Sequence, residues 1–496
     1  MRAIGEQPSW IKARLPLVLR HRFKGASRLA SAELVDNPLR VVTAVLLGGF
    51  ALFDRAFAYL HIPGTVFYIG EVALILCLFY VVAVGRYRNL AGYSVAAFFL
   101  GILVIWSIAR AAPYLNDYGV DVVRDSVVWY FCVLGLVVYR LVVNGTVTVF
   151  TRFYDRFSIV SLLWYPLALL LSQFVGWGPA IPDSNVSVFS HKTGNLSVQV
   201  AMAIAWIWLC STNEALQKGS RRLALTSLGM VTLLAAGIIN RGGLVAATTA
   251  LLIAWAFAGK RLRRAALTVP AVLIGLLGMF WLLDVRIQPS FTEREISVPQ
   301  LVTNLRSIFG GESADDIGNL ESTVSWRLDL WERTLQDVNE NAPLTGRGYG
   351  MNLGVFYGVQ GNLDSPLRSP HNSHLTIFAR SGWFGFGAWL VLWTAWFMAM
   401  TETRRRYVAR GDRSEGNLAL WCAVSVVAIL VNAIFDPALE SPQVSAWLWA
   451  IFGLGLGLWH GARWPSKRPS PAYNLKPDIR RTKAEAQPIP RALRPS

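Results

Sequence analysis

Apolar runs of about twenty residues follow one another along almost the whole chain. A run of roughly 17–25 apolar residues is what a helix needs to cross the hydrocarbon core of a bilayer. In lipid only a helix or a closed barrel satisfies every backbone N–H and C=O. The pattern therefore predicts an all-α polytopic membrane protein with about twelve transmembrane helices. The candidate spans are 39–60, 66–85, 91–109, 126–143, 158–176, 195–212, 222–239, 244–259, 265–283, 375–400, 418–435 and 443–462. Leu223 to Gly259 is a 37-residue apolar stretch, too long for one crossing, and Asn240-Arg241-Gly242-Gly243 interrupts it. We divide it there.

Charge supports this reading. Only 16% of residues are charged, against about 25% in an ordinary soluble chain. The net charge of +17 would suggest nucleic acid in a polar protein. Here the basic residues sort by topology instead, and no nucleic-acid partner is expected. With the N-terminus in the cytoplasm, the inward segments hold 34 of the 47 Lys and Arg. That bias is the positive-inside signature, and it places both termini in the cytoplasm. Residues 1–40 carry eight Lys and Arg before any uninterrupted apolar core, so no cleaved signal peptide is expected. Cys77, Cys132, Cys210 and Cys422 each lie in apolar runs and read as small buried hydrophobes. The expected organisation is a basic N-terminal segment (1–38), a membrane domain (39–283), an outer loop (284–370), a second membrane segment (371–462) and a basic, proline-rich tail (463–496).

The outer loop, 87 residues with 12 acids, 7 Arg and no Lys, is too long for a passive connector. Ser322-Thr323-Val324-Ser325 offers a cap, and Trp326, Leu328, Leu330, Trp331, Leu335 and Val338 recur at helical spacing. Pro343 ends that helix, and Gly346-Arg347-Gly348-Tyr349-Gly350 predicts a tight turn. The loop is expected to form a small, partly helical cap.

Chemistry concentrates where this loop re-enters the membrane, at Ser369-Pro370-His371-Asn372-Ser373-His374. A neutral imidazole there can take a hydroxyl proton. No third ligand at metal spacing accompanies the two histidines, and Asp315-Asp316 is the only adjacent acidic pair, so no metal or other cofactor is expected. Arg241 breaks an apolar hairpin, where a charge is costly unless paired or at the interface. Arg286, Arg294, Arg306, Arg327, Arg347 and Arg368 lie in the loop, and Arg380 follows His374 by six residues. Arginine suits bidentate recognition of phosphate and pairing with carboxylates alike. Arginines beside a base at the outer surface point to a lipid diphosphate attacked by an acceptor hydroxyl.

These motifs resemble the O-antigen ligase and polysaccharide polymerase family of bacterial inner membranes. His371-Asn372, nine residues, then Gly382-Trp383-Phe384-Gly385 matches its HN-to-GxxG pattern. Ser325-Trp326-Arg327, Trp331, Pro343-Leu344 and Gly346 to Gly350 follow its arginine-to-glycine stretch, and Asn240-Arg241-Gly242 its short SRG turn. The chain departs at Ala379-Arg380-Ser381, where the family often has Glu, and at Asn240, where it often has Ser.

The resemblance implies a GT-C-like membrane glycosyltransferase, inverting and metal-independent, with its active site facing the periplasm. Its donor would be an undecaprenyl-diphosphate-linked glycan. The acceptor would be lipid A–core, in a ligase, or another lipid-linked glycan, in a polymerase. A compact arginine-bearing cap favours the anionic acceptor of a ligase. His371, Arg241 and Arg327 would be the catalytic residues. Asn372, His374, Arg347, Arg286, Arg380 and Trp331 would contact substrate. Membrane lipids and other glycan-assembly proteins complete the expected partners. A transporter of lipid-linked sugars is the alternative of another class, and a non-catalytic scaffold a third. Charges gathered outside, rather than at mid-membrane, favour the enzyme.

The topology is checked by labelling. Asp315→Cys in a cysteine-free chain should react with an impermeant thiol reagent while the inner membrane is intact. Reaction only after permeabilisation would reverse the assignment.

Overall fold

The computed structural model describes residues 17–65, 67–84, 94–212, 219–258, 317–358 and 368–464, with isolated positions between 263 and 302. Its main helices are α1 (Leu17–Ala58), α2 (Ile69–Val84), α3 (Val95–Ala111), α4 (Val133–Leu141), α5 (Val147–Leu171), α6 (Thr193–Leu209), α7 (Gly219–Ile239), α8 (Arg241–Phe257), α9 (Ile317–Asn341), α10 (Ser373–Ala409), α11 (Arg413–Phe435) and α12 (Pro442–Arg463). Short helical turns link α3 to α4. Among the described residues, pairing between extended segments is confined to two isolated bridges, His61 with Tyr68 and Ala180 with Ser187.

The protein is therefore all-α, with long apolar helices suited to a membrane. Every expected span within the described residues falls on a helix, but the count of twelve crossings is corrected. Among the described residues, six helices are long and apolar enough to cross alone, or up to seven if the bent pair Val127–Val143 and Val147–Leu171 forms one broken span. Ile69–Val82, Thr193–Leu209 and Arg241–Phe257 are apolar but shorter. Apolar composition marks burial, and burial in protein serves as well as burial in lipid. All of α6 from Thr193 to Ile207 is buried among its neighbours, so its length is not set by bilayer thickness. The expected span 265–283 lies almost wholly outside the described residues, as do 1–16 and the tail after Trp464.

Tryptophan builds the core. Trp206, Trp389, Trp396, Trp421 and Trp449 are almost fully buried. Their indole N–H groups find partners: Asp155 Oδ1 at 2.8 Å for Trp206, Met202 O at 3.0 Å for Trp421, and Phe452 O at 3.2 Å for Trp396. Edge-on ring pairs such as Trp206 with Trp421, 5.1 Å apart at 87°, fit the quadrupole preference of aromatics. Cys77, Cys132 and Cys422 are buried as expected, and Cys210 is half-buried.

The cap is seated on α10. The helix expected from Ser322 begins earlier, at Ile317, and ends before Pro343. Leu330, Val338, Leu353 and Tyr357 of the cap pack on Leu375, Phe378 and Ala379 of α10. The buried stripe is narrower than expected, because Leu328 and Leu335 are exposed.

The glycine-rich turn explains itself here. Helix α10 is broken at Gly382, whose φ is 64° and ψ −168°. The break frees two carbonyls: Arg347 N–H donates to Ala379 O at 2.7 Å, and Gly348 N–H to Arg380 O at 3.0 Å. Trp383 N–H in turn donates to Pro343 O at 2.7 Å. At Gly346 (φ 64°) an added Cβ would sit 2.5 Å from the backbone of Arg380 and Ser381; at Gly382 it would sit 2.4 Å from that of Leu344. The two backbones clasp, and neither can carry a side chain.

Gly346→Ala should therefore destabilise by more than the ~1–2 kcal/mol of a left-handed residue alone. Gly387→Ala, whose Cβ meets open space in the same helix, should be neutral or better. Thermal unfolding of the two variants in detergent checks this; equal midpoints would refute the clasp.

Candidate active site

Four chain segments meet at Phe435-Asp436, the end of α11. The first is α10, capped by Asn372, whose Oδ1 accepts the N–H groups of His374 at 3.0 Å and Leu375 at 3.1 Å. Ser373 Oγ donates to Asp436 O at 3.2 Å and accepts Leu439 N–H at 3.1 Å. The second is α8, whose cap Asn240 accepts Gly243 N–H at 2.9 Å. A Cβ on Gly242 would lie 2.4 Å from the Phe435 Cβ, so Arg241 begins its helix directly against the end of α11. The third is α9, from which Arg327 Nη1 donates to Phe435 O at 3.5 Å while its guanidinium lies 5.4 Å from the Trp326 ring. The fourth is the entry to α6, where Lys192 Nζ stands 3.7 Å from Asp436 Oδ1.

His371 sits among these groups. Its φ of 54° is left-handed, unusual for a residue with a side chain. It is held there from both sides. Trp331 Nε1 donates to Pro370 O at 2.7 Å, Asn372 caps the helix that follows, and the Trp326 ring meets the imidazole edge-on at 5.7 Å. Burial, then the positive charge of Arg327, push its pKa down to about 4; Asp436 opposes this and Lys192 adds to it. The imidazole is thus neutral at neutral pH and keeps a lone pair.

Other expected contact residues are committed to the protein itself. His374 is saturated: Nε2 donates to Leu430 O at 2.9 Å and Nδ1 accepts from Trp389 Nε1 at 3.1 Å. Arg380, 3% exposed, pairs with Asp125 at 2.8 Å and donates to Gly348 O at 3.2 Å. Arg347 closes a two-pronged fork on Asp337, with Nε 2.9 Å from Oδ2, and holds that carboxyl below the usual range. Arg368 binds Asp121 at 3.2 Å and Gly350 O at 3.0 Å. Arg347 thus braces the cap internally, Arg380 and Arg368 tie α10 and the cap to the segment Val120–Asp125, and all three guanidinium groups are engaged by the protein. Trp331 and Asn372 serve the backbone around His371. Arg286 is exposed, and Asp315 and Asp316 lie outside the described residues. Among the described residues, no three His, Cys, Asp or Glu side chains gather as a metal site.

A family model described as O-antigen ligase matches residues 230–390. That interval runs from α7 through the clasp and contains Arg241, Arg327 and His371, the three residues brought to Phe435-Asp436. Over this stretch the chain is similar to the O-antigen ligase family. The match supports a glycosyltransferase activity of the O-antigen ligase type. No curated protein matches the chain.

Lys192 and Asp436 lie outside the matched interval and were not anticipated. A signal existed for Lys192: it is the only lysine outside the segments assigned to the cytoplasm. Asp436 had none beyond its place in a break between two apolar runs.

The His371 shift has a pH consequence. The unfolded imidazole, near 6.5, binds a proton before the folded one does. Stability contributed by neutral His371 is therefore full above about pH 6.5 and is lost as pH falls toward about 4. Wild type should show that loss and His371→Gln should show less of it, read as unfolding midpoints across pH 4–7. Parallel curves would contradict the buried, neutral imidazole.

Proposed function

We propose that the cluster at Phe435-Asp436 transfers a glycan from an undecaprenyl-diphosphate carrier to an acceptor hydroxyl at the periplasmic face of a bacterial inner membrane, most simply the ligation of O-antigen to lipid A–core. The observation that carries this is the meeting of one buried neutral histidine with Arg327 and Lys192 around a single carboxylate, with Arg241 at the adjoining helix start.

The reaction is a single displacement. The acceptor oxygen attacks the anomeric carbon, the bond from that carbon to the diphosphate oxygen breaks, and the configuration inverts. His371 accepts the hydroxyl proton. Arg241 and Arg327 stabilise charge gathering on the leaving diphosphate, the task that preorganised cations perform best in a site of low dielectric. A pKa of about 4 makes His371 a weak base in the free protein. Burial depresses it most, and the donor diphosphate offsets the further depression by Arg327 and Lys192, so donor binding raises the base toward working strength. Arg347, Arg380 and His374 position the cap and α10. The carrier lipid reaches the site from the bilayer along apolar helix faces. Both termini face the cytoplasm, as the basic segments require.

The test uses purified protein, lipid-linked donor and lipid A–core acceptor in EDTA-containing buffer. His371→Ala should lower the initial rate by roughly 10²-fold or more, the scale of a positioned base, with donor binding retained. Arg241→Lys should fold but lose most activity, since a point charge cannot reproduce a guanidinium fork. Near wild-type rates in both variants would remove the assignment. Product joined only to lipid-linked repeat units would replace the ligase by a polymerase.

A further inference from the structure

Behind Lys192 the structure holds a small cavity wide enough for one water-sized occupant. Four parts of the bundle enclose it: Asp54 of α1, Tyr165 of α5, His191 with Asn195 and Gln199 at and within α6, and Gln443 of α12. Tyr165, Asn195, Gln199 and Gln443 are each more than nine-tenths buried, as is Asp54. The Tyr165 hydroxyl, Asn195 Oδ1, Gln199 Oε1 and Gln443 Oε1 have no hydrogen-bond partner in the protein. The orientation of Asn195 is fixed, because its Nδ2 donates to Asp54 Oδ1 at 2.9 Å and its carbonyl must point the other way.

Asp54 is a carboxylate 4% exposed whose hydrogen bonds come from neutral groups, Lys192 N–H at 2.6 Å and the Asn195 amide. Among the described residues it has no ion-pair partner: the Lys192 ammonium is turned to Asp436 instead. Its backbone is bent to φ 43° to place it there. A buried charge without a counter-charge, beside several unpaired oxygens, is costly on both counts. His191 directs its ring nitrogens at backbone carbonyls, Leu52 O at 2.9 Å and Phe189 O at 3.3 Å, and not into the cavity.

We infer that this cavity binds one monovalent hard cation, sodium being the ion of fitting size. Oxygen ligands select hard cations. One carboxylate with neutral carbonyls and a phenol balances a single positive charge, whereas a divalent ion draws on more anionic ligands. The cation completes the coordination of Asn195, Gln199 and Gln443 and locks α1, α5, α6 and α12 together. It also reaches the proposed transfer site. Asp54 holds the backbone of Lys192, and the Lys192 side chain reaches Asp436. Sodium should therefore lower the KM for donor, a consequence that rests on the function proposed above.

The experiment is thermal unfolding of the full-length protein in detergent, in sodium chloride or N-methyl-D-glucamine chloride at equal ionic strength. Sodium should raise the midpoint saturably, as a ligand bound only by the folded state must. Asp54→Asn should abolish the rise. Should that variant not fold, Gln199→Leu and Gln443→Leu should each raise the half-saturating sodium concentration about tenfold, the worth of one ligand. Equal midpoints in the two salts would overturn the site and assign the cavity to water. A protein without transferase activity that still shows the sodium shift would keep this site and refute the functional reading alone.

Discussion

Like charges around one carboxylate govern this end of the bundle. Arg327 and Lys192 both act on His371, and Asp436 is the anion that lets them stand together. In low dielectric such cations repel strongly, so their approach has to be enforced by packing. The enforcement is visible at Gly242, which lets α8 press on Phe435, and at Gly243, where a Cβ would fall 2.9 Å from Gly194 Cα. Close helix contact at glycines brings basic termini together that would otherwise separate. In the function proposed above, an arriving diphosphate would relieve the repulsion, and that relief would be a source of donor affinity and of a stronger base.

The clasp serves the same end from the cap side. The cap holds Arg327 at the end of α11, beside the start of α10. It does so through backbone hydrogen bonds at the Gly382 break, while the segment Val120–Asp125 anchors both sides: Asp125 takes Arg380 of α10 in a buried ion pair, and Asp121 and Asp125 take Arg368 at the end of the cap. Breaking one partner of such a pair is more damaging than the pair is stabilising. The many arginines of this region thus divide into those that fasten the cap and those at the cluster.

The sequence made the helices legible, because apolar periodicity is local. It also marked the polar breaks and singled out His371, Arg241 and Arg327, which the fold brings to the end of α11. It did not reveal how many helices cross, since α6 shows the same apolar signal whether protein or lipid covers it. It gave His371 the base and His374 a substrate contact, without the partners that fix His374. Their difference is a matter of partners 56 and 15 residues away, Leu430 and Trp389, which occupy both nitrogens of His374. Arg347 and Arg380 were read as substrate contacts because a guanidinium looks the same whether it faces a phosphate or an aspartate. Lys192 and Asp436 meet across 244 residues, beyond any local pattern.

The most direct measurement is the titration of the His371 imidazole by NMR, in histidine-labelled protein, with and without a non-transferable lipid diphosphate. The account predicts a pKa near 4 in the free protein and a clear rise with the diphosphate bound. An imidazole that titrates near 6.5 in both states would contradict a buried base flanked by cations that the donor neutralises.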